Sequence, residues 1–231
     1  MDQTIVARID RSDHEGAVAD WAGHEARLRG LPLQVVDHLR PDILSKAKMV
    51  VLGMPGEGGT AGPARESAAL AVVGASSCPV VLVPDAPGLG ALRHSRHEVV
   101  LGVDARDPAA AAIDFAFEAA LTTHVRLHAA HAWSLPSCAA ELPFGIPEED
   151  RGAWEDHEVQ LLADVLRPWR AKYPGVRVLE DVVLFAPAHA LIRKSASAAL
   201  VVVGRRAGSG SADITQALLR DAECPVAVVP W

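Results

Sequence analysis

The chain has 231 residues, half of them hydrophobic and 22% charged, a balance that suits a compact core and excludes a disordered chain. A formal charge of −7 argues against a general nucleic-acid binder, and apolar runs such as residues 198–204 are far too short to cross a bilayer. The opening MDQTIVARID has no basic segment ahead of an apolar one, so no secretory signal is read there, and three cysteines that cannot all pair point to a reducing cytoplasm.

Residues 4–9 form a β-branched run that reads as a strand, with Asp10 at its end. The next helix carries Val18, Trp21 and Leu28 on its apolar face, so Trp21 reads as core packing rather than a stacking platform. Further strands are expected at Leu33–Val36, 49–52 and Val80–Val83, and DHLRPDILSKAK leaves room for one short helix. Between the last two strands, GMPGEGGTAGPARESAALAV is a glycine-rich turn running into a small-residue helix. VPDAPGLGALRHSRH, rich in Pro and Gly, reads as a linker. Beyond it, residues 98–103 form a strand that turns at Asp104. Asp107-Pro108 supplies an N-cap and first-turn pair for a helix with Ile113, Ala116, Phe117 and Ala120 on one face. A strand at 125–133, a long helix at Glu148–Lys172, a strand at 176–185 and a helix at 187–198 follow. A buried strand at 200–204, a helix at 216–222 and a strand at 225–229 close the chain. Continuous β-branched runs alternating with helices indicate parallel sheet buried on both faces.

The chain repeats itself. Asp10 aligns with Asp104, and Asp20-Trp21-Ala22 with Asp114-Phe115-Ala116, both at an offset of 94. VVLG ending at Gly53 matches VVVG ending at Gly204 at an offset of 151, and CPVVLVP from Cys78 matches CPVAVVP from Cys224 at 146. Between the Asp and Gly landmarks the second half therefore holds 57 more residues, and between the Gly and Cys landmarks five fewer. The missing 57 residues amount to one helix, one strand and part of a loop.

On those signatures (the Ile/Val-Asp region closing each first strand, VVLG or VVVG before a glycine-rich loop, and CPVxxVP) the chain resembles the universal stress protein (UspA) family in tandem form. The second half covers a whole family domain and the first covers its two ends. The resemblance implies an α/β fold: two doubly wound, parallel-sheet, Rossmann-like domains of the adenine nucleotide alpha hydrolase type. It also implies pairing through the last strand and, in one branch, ATP binding through a motif resembling G-x2-G-x9-G-[S/T]. The division expected is a truncated domain at 1–87, a linker at 88–97 and a complete domain at 98–231.

A strand-to-helix turn of this kind can cradle phosphate, because free backbone N–H groups gather at the positive helix end. In the first half Gly53 and Gly56 fit and Ser67 keeps the hydroxyl, but Glu66 replaces the third glycine. A carboxylate there repels phosphate or turns outward and blocks it. In the second half Gly204 and Gly208 remain, Ala207 takes the place of a motif glycine, and the Gly-Ser position holds Ala212-Asp213. Arg205 and Arg206 there could attract an anion. Asp10 and Asp104 stand beside the expected crevice, where the resemblance places them near an adenosine and the alternative is capping the next helix. The candidate nucleotide-binding set is thus Asp10, Gly53, Gly56, Ser67, Asp104, Gly204, Arg206 and Gly208. Ligand-free glycine turns stay open as the alternative.

Other constellations carry less. His128 and His131 lie three apart on a strand and so face opposite ways, which argues against a shared metal. Cys78 and Cys224 precede proline at buried strands and read as packing residues, and Cys138 has no basic neighbour to activate it. No catalytic motif is present, so no enzyme is expected. The expectation is a stress-response regulatory or binding protein, with ATP the candidate cofactor, pairing with itself within the chain or as a homodimer. The alternatives are a nucleotide-free interaction module and a weak ATPase.

Overall fold

The computed structural model describes residues 3–9, 15–54, 62–84, 97–135, 148–206 and 211–231. Its strands are β1 (Thr4–Arg8), β2 (Leu33–Val36), β3 (Ala47–Gly53), β4 (Val80–Val83), β5 (Glu98–Gly102), β6 (Arg126–Trp133), β7 (Val178–Leu184), β8 (Leu200–Arg205) and β9 (Val226–Pro230). The helices are α1 (Glu15–Arg29), α2 (Pro41–Leu44), α3 (Gly62–Ala75), α4 (Ala110–Thr123), α5 (Glu148–Lys172), α6 (Pro187–Ser195) and α7 (Ser211–Asp221). The strands join in one nine-stranded sheet, ordered β2-β1-β3-β4-β9-β8-β5-β6-β7. Every pairing is parallel except β4 with β9.

The duplication is written into the backbone. At the end of α1, Gly30 adopts φ 62°, and at the end of α4, His124 adopts φ 56°, 94 positions later. Leu31 N–H donates to Ala26 O at 3.0 Å and Val125 N–H to Ala120 O at 3.1 Å, the same left-handed cap at the same offset. At the seam, Val80 pairs with Val228, Val81 with Ala227 and Leu82 with Val226. Val81 and Ala227 are each other's equivalents at the 146 offset, so a local two-fold axis passes between them. That axis removes both apolar edge strands by setting one against the other.

Side chains alternate across the sheet and build two cores. One holds Ile5, Trp21, Val81, Leu101, Phe117, Leu127, Leu162 and Ala227 under α1, α4 and α5. The other holds Val50, Leu82, Val100, Leu191, Val201, Leu218 and Val228 under α3, α6 and α7. Each core draws on both halves of the chain, so the seam lies inside continuous apolar packing. Above it, Arg29 of α1 reaches Glu118 of α4 at 2.8 Å. On the other face Glu66 of α3 accepts from Arg220 at 2.9 Å and from Gln216 at 2.8 Å.

Among the described residues the first half shows no counterpart of β7. Its order, β2-β1-β3-β4, is that of β6-β5-β8-β9 without a partner for β2. One assignment is corrected: Leu28 is 38% exposed, and the buried face of α1 consists of Val18, Trp21, Ala22 and Ala26. Arg29, with its side chain 4% exposed, turns inward instead, held by Glu25 and Glu118.

Candidate functional site

Strand order reverses between β5 and β8, with β6 and β7 added on one side and β9 on the other. Connections leave such a point toward opposite faces and open a crevice at the carboxyl ends of the strands. A cavity of about 860 Å3 lies there, lined by Val103, Asp104, Ala109, Gly204, Arg206 and Trp231 among others. Most of its wall is alkyl or aromatic, including Ile113, Trp133, Leu184 and Phe185.

Asp104 sits just past β5, exposed at this rim. Its Oδ1 accepts from the Arg106 N–H at 3.0 Å and its carbonyl from the Asp107 N–H at 3.2 Å, so it ties a turn. The helix-capping alternative for it is not what forms. Nor is the expected cap by Asp107: α4 begins at Ala110 with Ala109 as its N-cap and no side-chain cap bond. Asp107 is drawn away to an ion pair with Arg206.

Beneath the turn, His131 Nε2 lies 3.0 Å from Glu158 Oε2, both side chains 3% exposed. Its Nδ1 is 3.3 Å from Ala105 N and 3.1 Å from Val103 O. With the proton on Nε2, His131 donates to the carboxylate and accepts the Ala105 N–H. Arg106 closes the other oxygen of Glu158. The loop bearing Asp104 is thereby fastened to α5.

Gly204 is required by space. It has no positive φ, yet an added Cβ would come under 3.0 Å from the Ala109 methyl, 3.3 Å from Trp231 Nε1 and 3.5 Å from Ala112 Cβ. The start of α4 lies directly on β8. The two arginines after it are both engaged: Arg205 donates to Ser76 O across the seam at 2.8 Å, and Arg206 stacks 3.9 Å over the Trp231 ring while paired with Asp107.

In the first half, Gly53 ends β3 and Ser67 is exposed on α3. Asp10 and Gly56 lie outside the described residues, as does Gly208 of the second half. Glu66, expected to face the loop or turn outward, instead joins α7. Its hydrogen bonds from Gln216 and Arg220 hold the carboxyl below its ordinary range. Cys138 is also outside the described residues. Cys78 and Cys224 are buried, and burial pushes the Cys78 thiol up.

His128 faces away from His131, as strand geometry requires. Its Nε2 lies 2.9 Å from Asp181 and 3.1 Å from Lys194, under α6. The sequence reading missed Trp231, Asp107, Arg106 and Glu158 as site residues. Glu158 alone had a local signal: it shares the spacing of Leu162, Leu166 and Trp169, which places an acid on the buried stripe of α5.

The family model described as Universal stress protein family matches residues 95–230. Universal stress protein Rv2005c of Mycobacterium tuberculosis is 35% identical over 193 residues, covering 81% of this chain and 63% of that protein. The chain thus spans under two thirds of the length of that relative. Universal stress protein Rv1996 of the same organism is 32% identical over 229 residues, 95% of this chain and 71% of that one. Among solved structures, a universal stress protein from Archaeoglobus fulgidus superposes with a TM-score of 0.58 at 15% identity, over 98% of this chain and 86% of its own, a likeness of fold.

Proposed function

The chain belongs to the universal stress protein family, and from that premise we propose that it is a non-enzymatic regulatory protein of the cytoplasm that binds an adenine-nucleotide-class ligand in the cleft between β5 and β8. The observation that carries this reading is the cavity itself. Its volume of about 860 Å3 falls within the roughly 300–1,000 Å3 of small-molecule sites, and it opens where this topology places ligands. The apolar wall suits a base and a sugar, and Asp104, fixed by its own turn and by the Glu158–His131 clamp, offers a carboxylate to ribose hydroxyls. In the same reading the chain divides into a truncated domain at 1–87, a linker at 88–97 and a complete domain at 98–231, paired internally.

For the first-half loop a specific observation favours a different role. Glu66, at the position of the third motif glycine, is bonded to Arg220 and Gln216 of the other half. That supports a role for α3 in holding the halves together.

The test is equilibrium binding of a fluorescent adenine-nucleotide analogue. Asp104→Ala and Ser134→Trp, the latter at the exposed mouth of the cleft, are expected to weaken binding at least about tenfold, or about 1.4 kcal/mol. Gly56→Glu is expected to leave it unchanged. Loss of binding in Gly56→Glu with Asp104→Ala intact would move the site to the first half. Absence of binding by every adenine nucleoside and nucleotide would leave the interaction module as the reading.

A further inference from the structure

We propose that the free edge of β2 is a self-association surface, through which two copies of the chain pair antiparallel about a two-fold axis at Gln34. This edge belongs to the half without the proposed ligand cleft, and its pairing holds whatever that cleft binds.

β2 ends the sheet and, among the described residues, pairs with β1 alone. Ile5 N–H donates to Pro32 O at 2.9 Å and Ile9 N–H to Val36 O at 3.0 Å, with Ile5 opposite Leu33 and Ala7 opposite Val35. In a parallel ladder of that register the peptide groups of Pro32, Gln34 and Val36 face β1, so the N–H and C=O of Leu33 and Val35 point outward. The side chains are open as well. Ile5 and Ala7 belong to the core under α1, which puts Leu33 and Val35, their opposed neighbours, on that face. Leu33 is 36% and Val35 54% exposed, and so is Leu28 to 38%, in the last turn of the α1 helix that packs against β2. In the second half Leu127, the equivalent of Leu33, is buried, and β6 is paired with β7 along its length.

A second copy fits this edge in one register. With Gln34 on the axis, Leu33 of each chain stands opposite Val35 of the other. Both members of each pair turn their N–H and C=O outward, so each pair exchanges two bonds and four ladder hydrogen bonds form. The leucine–valine pairs then share the face of α1, and the two uncharged Gln34 amides meet on the opposite face. With the axis moved to Leu33, Val35 would need the Leu31 N–H, which is already given to Ala26 O. With the axis moved to Val35, Leu33 would be set against the Asp37 carboxylate.

The chain already makes such a contact once, where β4 and β9 meet antiparallel with Val81 opposite its equivalent Ala227. Pairing at β2 continues the sheet by the same device, and the contact closes at two copies because each offers the same surface. The other free edge is unsuited to it. β7 carries Glu180 and Asp181 at its middle, acids that an antiparallel copy centred there would bring against each other, whereas β2 carries no charged residue.

Sedimentation velocity of the full, ligand-free chain across roughly 1–200 µM tests this, since so short a contact buries less than about 1,200 Å2 and suits micromolar association. The wild-type chain is expected to pass from monomer to dimer within that range. Val35→Pro deletes two of the four intercopy donors and spares the β1 ladder, whose donors on β2 are Gln34 and Val36. It is expected to weaken dimerisation at least about tenfold. Leu33→Lys, at an exposed side chain, should do the same and serves if Val35→Pro fails to fold. The register is read by oxidation with oxidised glutathione in a Cys138→Ser background. Gln34→Cys is expected to form an interchain disulfide, because residues opposed on the axis have Cα atoms about 4.5 Å apart. Val35→Cys is expected not to, because its two copies stand diagonally across the axis, beyond about 7 Å. A chain that stays monomeric through the whole range overturns the proposal. So does a dimer that neither Val35→Pro nor Leu33→Lys weakens, or a disulfide that forms equally at positions 34 and 35.

Discussion

Substituting Gly204 by alanine separates a packing glycine from a phosphate-cradle glycine. The new Cβ would come under 3.0 Å from the Ala109 Cβ, whereas carbon atoms in contact sit about 3.5–4.0 Å apart. Neither atom can turn aside, because both are fixed to backbone. Gly204 is held in register with Val229, and the Ala109 carbonyl accepts the Ile113 N–H at 3.0 Å in the first turn of α4. Relief therefore requires α4 and β8 to move apart by about 1 Å, against a core that includes Ile113, Ala116 and Phe117. Overpacking of this kind costs about 2–3 kcal/mol, which for a chain of this size lowers Tm by roughly 4–12 °C.

Gly102→Ala is the internal control. Its added Cβ would lie 2.8 Å from Leu191 Cδ1 and 3.1 Å from Cδ2, the far end of a side chain that can change rotamer. The expected cost is below about 1 kcal/mol. Both substitutions restrict the unfolded chain equally, so that contribution cancels in the comparison. Urea unfolding of the ligand-free protein measures both. Gly204→Ala as stable as Gly102→Ala would refute the packing argument and return Gly204 to a role seen only with ligand present.

Two further outcomes follow from buried charge. Arg29→Ala leaves Glu25, with its side chain 8% exposed, without the guanidinium 2.6 Å away, and is expected to cost about 3–5 kcal/mol in urea unfolding. Arg29→Met combined with Glu25→Gln should recover most of that, since no buried charge is then left alone. For the cluster under α6, burial would raise the Asp181 carboxyl, but hydrogen bonds from Lys194 and His128 outweigh it and hold the group below its ordinary 3.8. A lowered folded value means stability that is present above the unfolded value and lost as pH falls through the folded one. The urea midpoint should therefore fall below about pH 4, and Asp181→Asn should flatten that decline, with Glu98 supplying the remaining slope in the same direction. An acid limb unchanged in Asp181→Asn removes this cluster as its cause.

Much of the architecture could be read from local pattern. β-Branched runs fixed the strands, the two CPV segments identified the strands that pair at the seam, and the 57-residue difference identified the missing outer strand. The site was less legible because its contacts join residues far apart in sequence. Nothing near Asp107 announces Arg206, 99 residues later, and an Asp-Pro pair ahead of an alanine-rich helix reads equally well as a cap. Glu66 looked like a damaged phosphate loop because its partners Gln216 and Arg220 belong to the other half. Leu28 failed for a related reason. A helical wheel assigns a face, but the neighbour that decides which edge of that face is covered lies outside the helix.

That missing neighbour explains how a truncated half persists within a continuous sheet. The 94-residue offset runs unbroken from β1 through β2, so Leu33 and Leu127 occupy equivalent positions, the first beside Ile5 and the second beside Val99. Leu127 is fully buried, in the core cluster that α5 completes with Leu162 and Leu166, whereas Leu33 is 36% exposed and Val35 beside it 54%. Among the described residues the first half therefore shows no counterpart of α5 and β7. An outer strand can be dropped with every other ladder kept, because β7 pairs with β6 alone, and in the first half β3 reaches β1 from the side opposite β2. The loss falls on the edge farthest from the seam, while Val81, Leu82, Ala227 and Val228 remain in cores shared by both halves. Apolar packing shared by both halves thus gathers at the dyad, and the proposed ligand cleft lies in the half that kept its outer layer.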